Sequence, residues 1–445
     1  MNLHRMLKMR ADDGKPIRVG LIGAGKFGSM FLAQARFTPG LHVVGVADLD
    51  VERARKSMRR LGWPSTQIDA PDMARALADG KTHLTDDGMS LIHTSGLDVV
   101  IEATGDPGAG VRHALAGIEQ GRHLVMVNVE ADVLVGPLLA ERASKAGLVY
   151  SLAYGDQPAL ICEMVDWART AGFPVVCAGK GTRYLPAMHR STPKTVWQHF
   201  GITDEEAVDA GMNPKMFNSF VDGTKSGIEM AAVANASGLK VPSQGLAFPA
   251  CGVDDLAYVL RPSSMGGQLE HDGTVEVVTD LERDGRPVYR DLRWGVYITF
   301  KAPSDYARAC FAQYGLNIDP SGDIASIYRP IHMIGLELGI SVASAALRGE
   351  PTGCPRSFEA DVIATAKKDM PAGEMLDGEG GACVWGKLMP AGMSIAGDYL
   401  PIGLAHHIEL TRPVAAGACL TMADVAMDPG DQLLALRRTM TGAEP

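Results

Sequence analysis

Between Ile17 and Met30 the chain reads IRVGLIGAGKFGSM, a short apolar run that opens directly into Gly23-x-Gly25-x-x-Gly28. In such a segment the first glycine permits a tight turn out of a strand. The second lets the backbone approach a pyrophosphate, and the third lets the following helix pack on the sheet. The helix start then offers unpaired N–H groups and a partial positive charge to an anion. The glycine pattern alone would be weak. Here a helical pattern from Phe27 to Ala35 follows it, and a second strand pattern, LHVVGVA, ends at Asp48, near the spacing of a ribose-binding acid. This context predicts a dinucleotide-binding α/β unit with Gly23, Gly25, Lys26, Phe27, Gly28 and Asp48 at the cofactor. A glycine turn with no ligand is the lesser alternative.

The next hundred residues support that reading. VERARKSMRRLG is a charged helix, LDVVIEATG a buried strand ending in a glycine turn, VRHALAGIEQG a helix closed by Gly121, and HLVMVNVE the next strand. PLLAERASKAG and LVYSLAYGD continue the alternation. Strands alternating with helices predict a parallel, doubly wound sheet, a Rossmann domain over residues 1–155. The first fifteen residues are expected to form an arm or amphipathic helix on the surface.

At 445 residues the chain is too long for one ordinary domain. Its net charge of −10 argues against non-specific nucleic-acid binding, yet permits a local basic pocket for an anionic substrate. The seven cysteines form no CxxC pair and read as free thiols. No signal-like or membrane-length apolar segment is seen, so a cytoplasmic protein is expected, with neither nucleic acid nor membrane as partner.

After Gly155-Asp156-Gln157-Pro158 a helix (ALICEMVDWARTAG) and a strand (PVVCAGKG) lead into a polar stretch, RYLPAMHRSTPKTVWQHFG. A helix-rich span containing FVDGTKSGIEMAAVANASG follows. Two strand patterns, TVEVVTDL and RWGVYITFKA, suggest an antiparallel sheet, and helices are expected around 304–314 and 327–347. Residues 156–350 thus form a second, α+β domain. The tail, 351–445, has short apolar runs broken by Gly and Pro, the pattern of a small all-β module.

The strings VGLIGAGKFG, VVIEATGDP, HLVMVNVEAD and AYGDQP resemble the homoserine-dehydrogenase-like dehydrogenases. By that resemblance, Glu102-Ala103-Thr104-Gly105 packs beside a nicotinamide and Val127-Asn128 closes over it, placing Ala103, Thr104, Gly105 and Asn128 at the cofactor. Those enzymes usually carry a lysine after the asparagine. Val129 and Glu130 stand there instead, which argues against homoserine itself. Asp222-Gly-Thr-Lys225 resembles their catalytic Asp/Lys site, and the tail resembles a SAF (β-clip) domain. The whole combination resembles the DXR-like (type II) 1-deoxy-D-xylulose 5-phosphate reductoisomerases. The resemblance implies an oxidoreductase that uses NADPH to make 2-C-methyl-D-erythritol 4-phosphate, an isoprenoid precursor of the methylerythritol phosphate pathway. It also implies inhibition by fosmidomycin and a homodimer assembled through the second domain. The alternatives are an NAD(P)-dependent sugar-acid oxidoisomerase or dehydrogenase of the D-apionate type, and a nicotinamide-binding regulator without catalysis.

Such chemistry needs a cation at the oxygen that receives the hydride and basic groups for a phosphate. Lys225, close behind Gly223 and ahead of an apolar helix, is the first candidate. Lys194, in Ser191-Thr-Pro-Lys194, is the second, as part of an anion cradle at a helix start. Arg183, Arg190, Ser191 and Arg329 are candidate substrate-binding residues. Glu130, Asp156 and Asp222 are candidate acid/base groups, or ligands of a Mg²⁺ or Mn²⁺ ion that would chelate substrate oxygens. No two of them stand at a ligand spacing, and Asp222 would otherwise hold Lys225. His189, His199 and His332 are possible bases, while His406-His407 reads as a loop. Asp48 favours NAD by repelling a 2′-phosphate. The resemblance favours NADP, which ranks first. Arg53 and Arg55 lie where that phosphate would sit, on a helix face otherwise read as solvated.

Overall fold

The computed structural model describes residues 2–209 and 212–442. They pack as two compact units. One takes in the chain up to Leu160 together with His332–Arg356, and the other takes in Ile161–Ile331 and the chain from Ser357 onward. These units cut across the three stretches set out above: the helix Gly339–Arg348 packs in the first unit, and the tail shares the second with 161–331.

The first unit opens with α1 (Leu3–Asp12), β1 (Ile17–Ile22), α2 (Lys26–Ala35), β2 (Leu41–Ala47) and α3 (Val51–Arg60). Further on come β3 (His83–Thr85), β4 (Val99–Glu102), α4 (Pro107–Glu119), β5 (His123–Met126), α5 (Val129–Lys145) and β6 (Tyr150–Leu152). The six strands form one parallel sheet in the order β3-β2-β1-β4-β5-β6. Helices cover both faces of such a sheet, so its strands read as near-continuous apolar runs. Val19, Leu21, Val99, Ile101 and Val125 are accordingly fully buried. The order reverses between β1 and β4, and in open α/β sheets ligands bind at that switch point, beyond the carboxyl ends of the strands. The N-terminal arm is a helix, but it does not merely lie on the surface. Leu3 and Leu7 of α1 join the core with Leu338, Val342 and Ala343, since a half-apolar helix gains most by burying its stripe.

In the second unit β7 (Val175–Thr182), α6 (Pro214–Val221), α7 (Thr224–Ser237), β8 (Thr274–Thr279), β9 (Val296–Lys301), β10 (Asn317–Ile318) and β11 (Ile324–Arg329) precede the tail. The sheet order is β10-β11-β9-β7-β8. The two strand patterns expected to pair with each other instead flank β7. β8 runs parallel to it and β9 antiparallel, so the sheet is mixed. The helix expected at 327–347 is likewise corrected. IASIYR is strand β11, paired with β9, and the helix begins only at Gly339. Pro330 and Gly335 interrupt the helical pattern between them. The helix at Asp305–Gln313 matches expectation.

The tail contributes β12 (Ala360–Ala366), β13 (Met375–Asp377), β14 (Val384–Pro390) and β15 (His406–Glu409), paired antiparallel as β12–β14 and β13–β15. It also carries a terminal helix, Gln432–Thr441. Helix α7 lies between the mixed sheet and the β12–β14 pair, and every residue from Thr224 to Asn235 is buried. A helix can be buried all round only where both sides are covered. Small residues allow the close approach: a Cβ on Gly227 would stand 3.1 Å from the carbonyl oxygen of Gly386.

Candidate functional site

The first unit supplies a nucleotide cradle. Gly23 has φ +95°, and a Cβ there would meet the Ala103 carbonyl oxygen at 2.5 Å. A Cβ on Gly28 would meet the Gly23 carbonyl oxygen at 2.1 Å. Only glycine suits either place, because each is filled by backbone. Gly25 differs: nothing lies within 4 Å of a Cβ built there, and it is the N-cap of α2 with no side chain satisfying the helix N–H groups. Open space beside an uncapped helix start is what an anion site requires. Lys26 beside it is exposed and Phe27 half-buried. These residues fit a dinucleotide pyrophosphate.

Asp48, at the end of β2, is committed internally. Its Oδ2 accepts from the Ala24 N–H at 2.8 Å, and its Oδ1 accepts from the Asp50 N–H at 2.9 Å and from Arg53 Nη2 at 2.8 Å. The carboxylate therefore braces the glycine turn, and Arg53, with an exposed side chain, answers its charge. Arg55 turns instead to Glu52 and the Ile68 carbonyl. Beyond β4 the loop is also tied down. Thr104 Oγ1 donates to Glu102 Oε1 at 2.5 Å, Asn128 Nδ2 donates to the Asp106 carbonyl at 2.9 Å, and Asn128 Oδ1 caps α5 through the Ala131 N–H. Gly105 has φ +73°. Ala103, Thr104, Gly105 and Asn128 thus form one rigid rim at the end of β4 and β5.

The second unit contains a cavity of about 470 Å³. Its walls come from residues 189–190, 223, 227, 244–246 and 248 and, from the tail, 365–367, 385–388 and 416–417. The His189 ring stacks on Trp385 with centroids 3.7 Å apart. His189 Nδ1 lies 2.7 Å from the Asp222 carbonyl oxygen, and Nε2 lies 2.8 Å from Tyr184 Oη. A neutral ring satisfies both contacts, with Nδ1–H donating to the carbonyl and Nε2 accepting from the phenol. Burial lowers the His189 pKa and favours that form, the Asp222 carbonyl opposing it. Burial also pushes Tyr184 up to about 12, so its hydroxyl keeps its proton.

Behind this wall Lys367 donates to Asp222 Oδ2 at 2.7 Å, to the Ser191 carbonyl at 2.7 Å and to the Gly381 carbonyl at 2.6 Å. All three ammonium protons are used. Asp222 Oδ1 accepts from the Thr224 N–H at 2.9 Å. Both ions are buried. The lysine therefore acts as a strut tying the tail to the turn ahead of α7. The expectation that Asp222 holds Lys225 is corrected here: its carboxylate is bound by Lys367 and the Thr224 N–H.

The other candidates divide. Lys225 is buried, not a surface lysine, and Gly223, with φ +91°, precedes α7 as its N-cap. It does not line the cavity. Gly223 and Gly227 do, and a residue two positions on from Gly223 lies about 200° around a helix. Lys225 shares its face with Glu229, one turn on, which is ion-paired to Lys180 of β7. Arg190 is exposed and lines the cavity. Lys194 is exposed in a turn before the single 3₁₀ turn Val196–His199, so the expected cradle at a helix start is not formed. Ser191 is buried and presents its carbonyl, not its hydroxyl, to Lys367 and Asn218. Arg183 is forked on Asp280, at 2.9 and 3.0 Å, which answers its charge. Arg329 ends β11, half-buried.

Glu130 and Asp156 belong to the first unit, in the first turn of α5 and just before Gln157, whose N–H the Asp156 carboxylate accepts at 2.9 Å. Among the described residues no three His, Cys, Asp or Glu side chains converge to hold a metal ion. With Asp222 held by Lys367, this donor set does not fit the expected Mg²⁺ or Mn²⁺. Sequence reasoning misses Lys367, Trp385 and Lys387, which stand in the tail without a motif.

Residues 155–338 match the family model described as oxidoreductase DRL, catalytic domain. That segment thus resembles an oxidoreductase catalytic domain. Over 114 residues it is 29% identical to homoserine dehydrogenase from Methylobacillus glycogenes, which covers 26% of this chain and 25% of that protein. The chain thus spans about a quarter of the length of the curated relative it matches. Among solved structures, a probable dehydrogenase from Thermotoga maritima is 13% identical, covering 75% of this chain and 90% of that one, with TM-score 0.39. A putative myo-inositol dehydrogenase from Sinorhizobium meliloti 1021 is 12% identical over 75% and 90%, with TM-score 0.38. Biliverdin reductase from Synechocystis sp. PCC 6803, in complex with biliverdin and NADP+, is 17% identical over 38% and 48%, with TM-score 0.27. No helix among the described residues is long and apolar enough to cross a membrane.

Proposed function

We propose that the protein is an NAD(P)-dependent oxidoreductase acting on a small anionic sugar derivative, and specifically an NADPH-dependent 1-deoxy-D-xylulose 5-phosphate reductoisomerase of the DXR-like type. The observation that carries the reading is the open space at Gly25, the uncapped start of α2, on a sheet of order β3-β2-β1-β4-β5-β6, in a chain matching an oxidoreductase catalytic domain. Gly23, Gly25 and Gly28 would take the pyrophosphate, and the Thr104 and Asn128 rim would face the nicotinamide, which when bound supplies or accepts a hydride. Arg53 would meet a 2′-phosphate, because Asp48 is turned inward and its charge is answered. That arrangement favours NADP over NAD. Lys225, buried on α7, would stabilise negative charge on the substrate oxygen. A homodimer, a SAF-like tail and inhibition by fosmidomycin belong to the same proposal.

A sugar-acid oxidoisomerase or dehydrogenase is the second reading. It is favoured by a cavity lined by Arg190 and Lys387, cations that would take a carboxylate as readily as a phosphate. NAD(P)H oxidation measured against a panel of keto-sugar phosphates and sugar acids separates the two. Turnover of 1-deoxy-D-xylulose 5-phosphate with NADPH, competed by fosmidomycin, supports the first. Turnover of a non-phosphorylated sugar acid alone replaces it with the second. Nucleotide binding without turnover of any substrate leaves the regulator.

A further inference from the structure

We propose that the cavity of the second unit is a binding site for the anionic group, phosphate or carboxylate, of a small-molecule ligand, with Arg190 and the tail's Lys387 as its cations. It rests on the reading above only for the sugar skeleton of the ligand; the site is argued from the cavity itself.

Its lining holds Arg190, Lys367 and Lys387 but no Asp or Glu, in a chain where acids outnumber Lys and Arg 52 to 42. Lys367 is spent, since its three protons are committed and Asp222 answers its charge. That leaves Arg190 and Lys387, neither of which has an ion-pair partner among the described residues. The Lys387 stem is fixed against Gly245, where a Cβ would stand 3.4 Å from Lys387 Cε. Gly245 has φ +84°, and a side chain there would crowd that stem. The lining also includes the His189–Trp385 stack and Phe248, an apolar surface for a carbon skeleton. Burial lowers the His189 pKa, and Lys367 and Lys387 add to the effect while Asp222 opposes it. A cavity of about 470 Å³ falls within the range of small-molecule sites. Two cations without an ion-pair partner among the described residues, and aromatic rings in the same lining, select an anion-tipped molecule. The tail therefore completes the site and does not merely append to it.

The test is isothermal titration of the full-length protein with 1-deoxy-D-xylulose 5-phosphate, D-xylonate and uncharged 1-deoxy-D-xylulose. At least one anionic probe should bind about tenfold or more tightly than the uncharged one, and more weakly as salt rises. Preference for the phosphate ester or for the carboxylate identifies the source of the anion. Arg190→Gln and Lys387→Gln should each weaken the anionic probe about 10- to 100-fold, the range for one charge-assisted hydrogen bond. Lys387→Arg should retain most of the affinity, and NADPH binding should not change. Equal binding of charged and uncharged probes would overturn the proposal. So would wild-type affinity in both glutamine variants, or no anion binding by folded wild-type protein. Anion binding without NAD(P)H oxidation would defeat the redox reading and leave the site standing.

Discussion

Replacing Gly25 by valine separates cofactor binding from folding. Gly25 sits at φ −66° and ψ −153°, an extended backbone with negative φ, and nothing lies within 4 Å of the position a Cβ would take. The fold therefore has room for the side chain, at a cost of about 1 kcal/mol for a poorer N-cap. The pyrophosphate does not, because the added methyl groups occupy the space in front of the α2 N–H groups. Loss of two charge-assisted hydrogen bonds at about 1.5–3 kcal/mol each amounts to about 3–6 kcal/mol, or roughly 10²- to 10⁴-fold in Kd. The assay is NADPH fluorescence titration alongside thermal unfolding. Gly28→Ala is the opposite control: its Cβ would stand 2.1 Å from a backbone oxygen, so it should lower Tm. Unchanged NADPH affinity in a folded Gly25→Val protein would refute the cradle.

Other expectations rest on the same geometry. Arg53→Ala should lower the preference for NADPH over NADH about tenfold, whereas Asp48→Ser should weaken both nucleotides by releasing the Ala24 N–H; steady-state kinetics with each cofactor checks this. Lys367→Met should destabilise the protein by about 3–5 kcal/mol by leaving Asp222 buried and unpaired, and Lys367→Met with Asp222→Asn should recover part of that loss in urea unfolding. Lys225→Ala should reduce kcat about 10²- to 10³-fold with little change in NADPH affinity; near-normal kcat would remove it from the reaction. Burial raises Glu276 from 4.5 to about 7, so the folded state holds its proton over a range where the unfolded chain has lost it. Its contribution is present below pH 4.5 and is lost as pH rises through about 7, a decline of about 3 kcal/mol that Glu276→Gln should flatten.

The parallel sheet and its glycine turn are legible in the sequence because their signals are local. Strand, turn and helix start lie within one short segment, and each glycine has its own steric reason at its own position. The charged face of α3 can be read the same way, with Ala54 and Met58 buried and Arg53, Arg59 and Arg60 exposed. Strand β11 escapes such a reading because IASIYR is too short for period alone to separate strand from helix; pairing with β9 settles it. The direction of β8 is likewise set by its neighbour β7, which no residue in TVEVVT encodes. The site divides along the same line. Arg190 and Lys225 can be chosen from residue type and setting, but which face of α7 each serves cannot. Lys367 meets Asp222 across 145 positions of sequence. Nothing in the tail marks that lysine, or Lys387 after it, until β12 and β14 pack on α7. The nucleotide fold of the first unit is thus written in contiguous residues, while the charges of the second unit are gathered only by packing. Local propensity acts over a turn or a strand, whereas a buried ion pair exists only where two distant segments are excluded from water together.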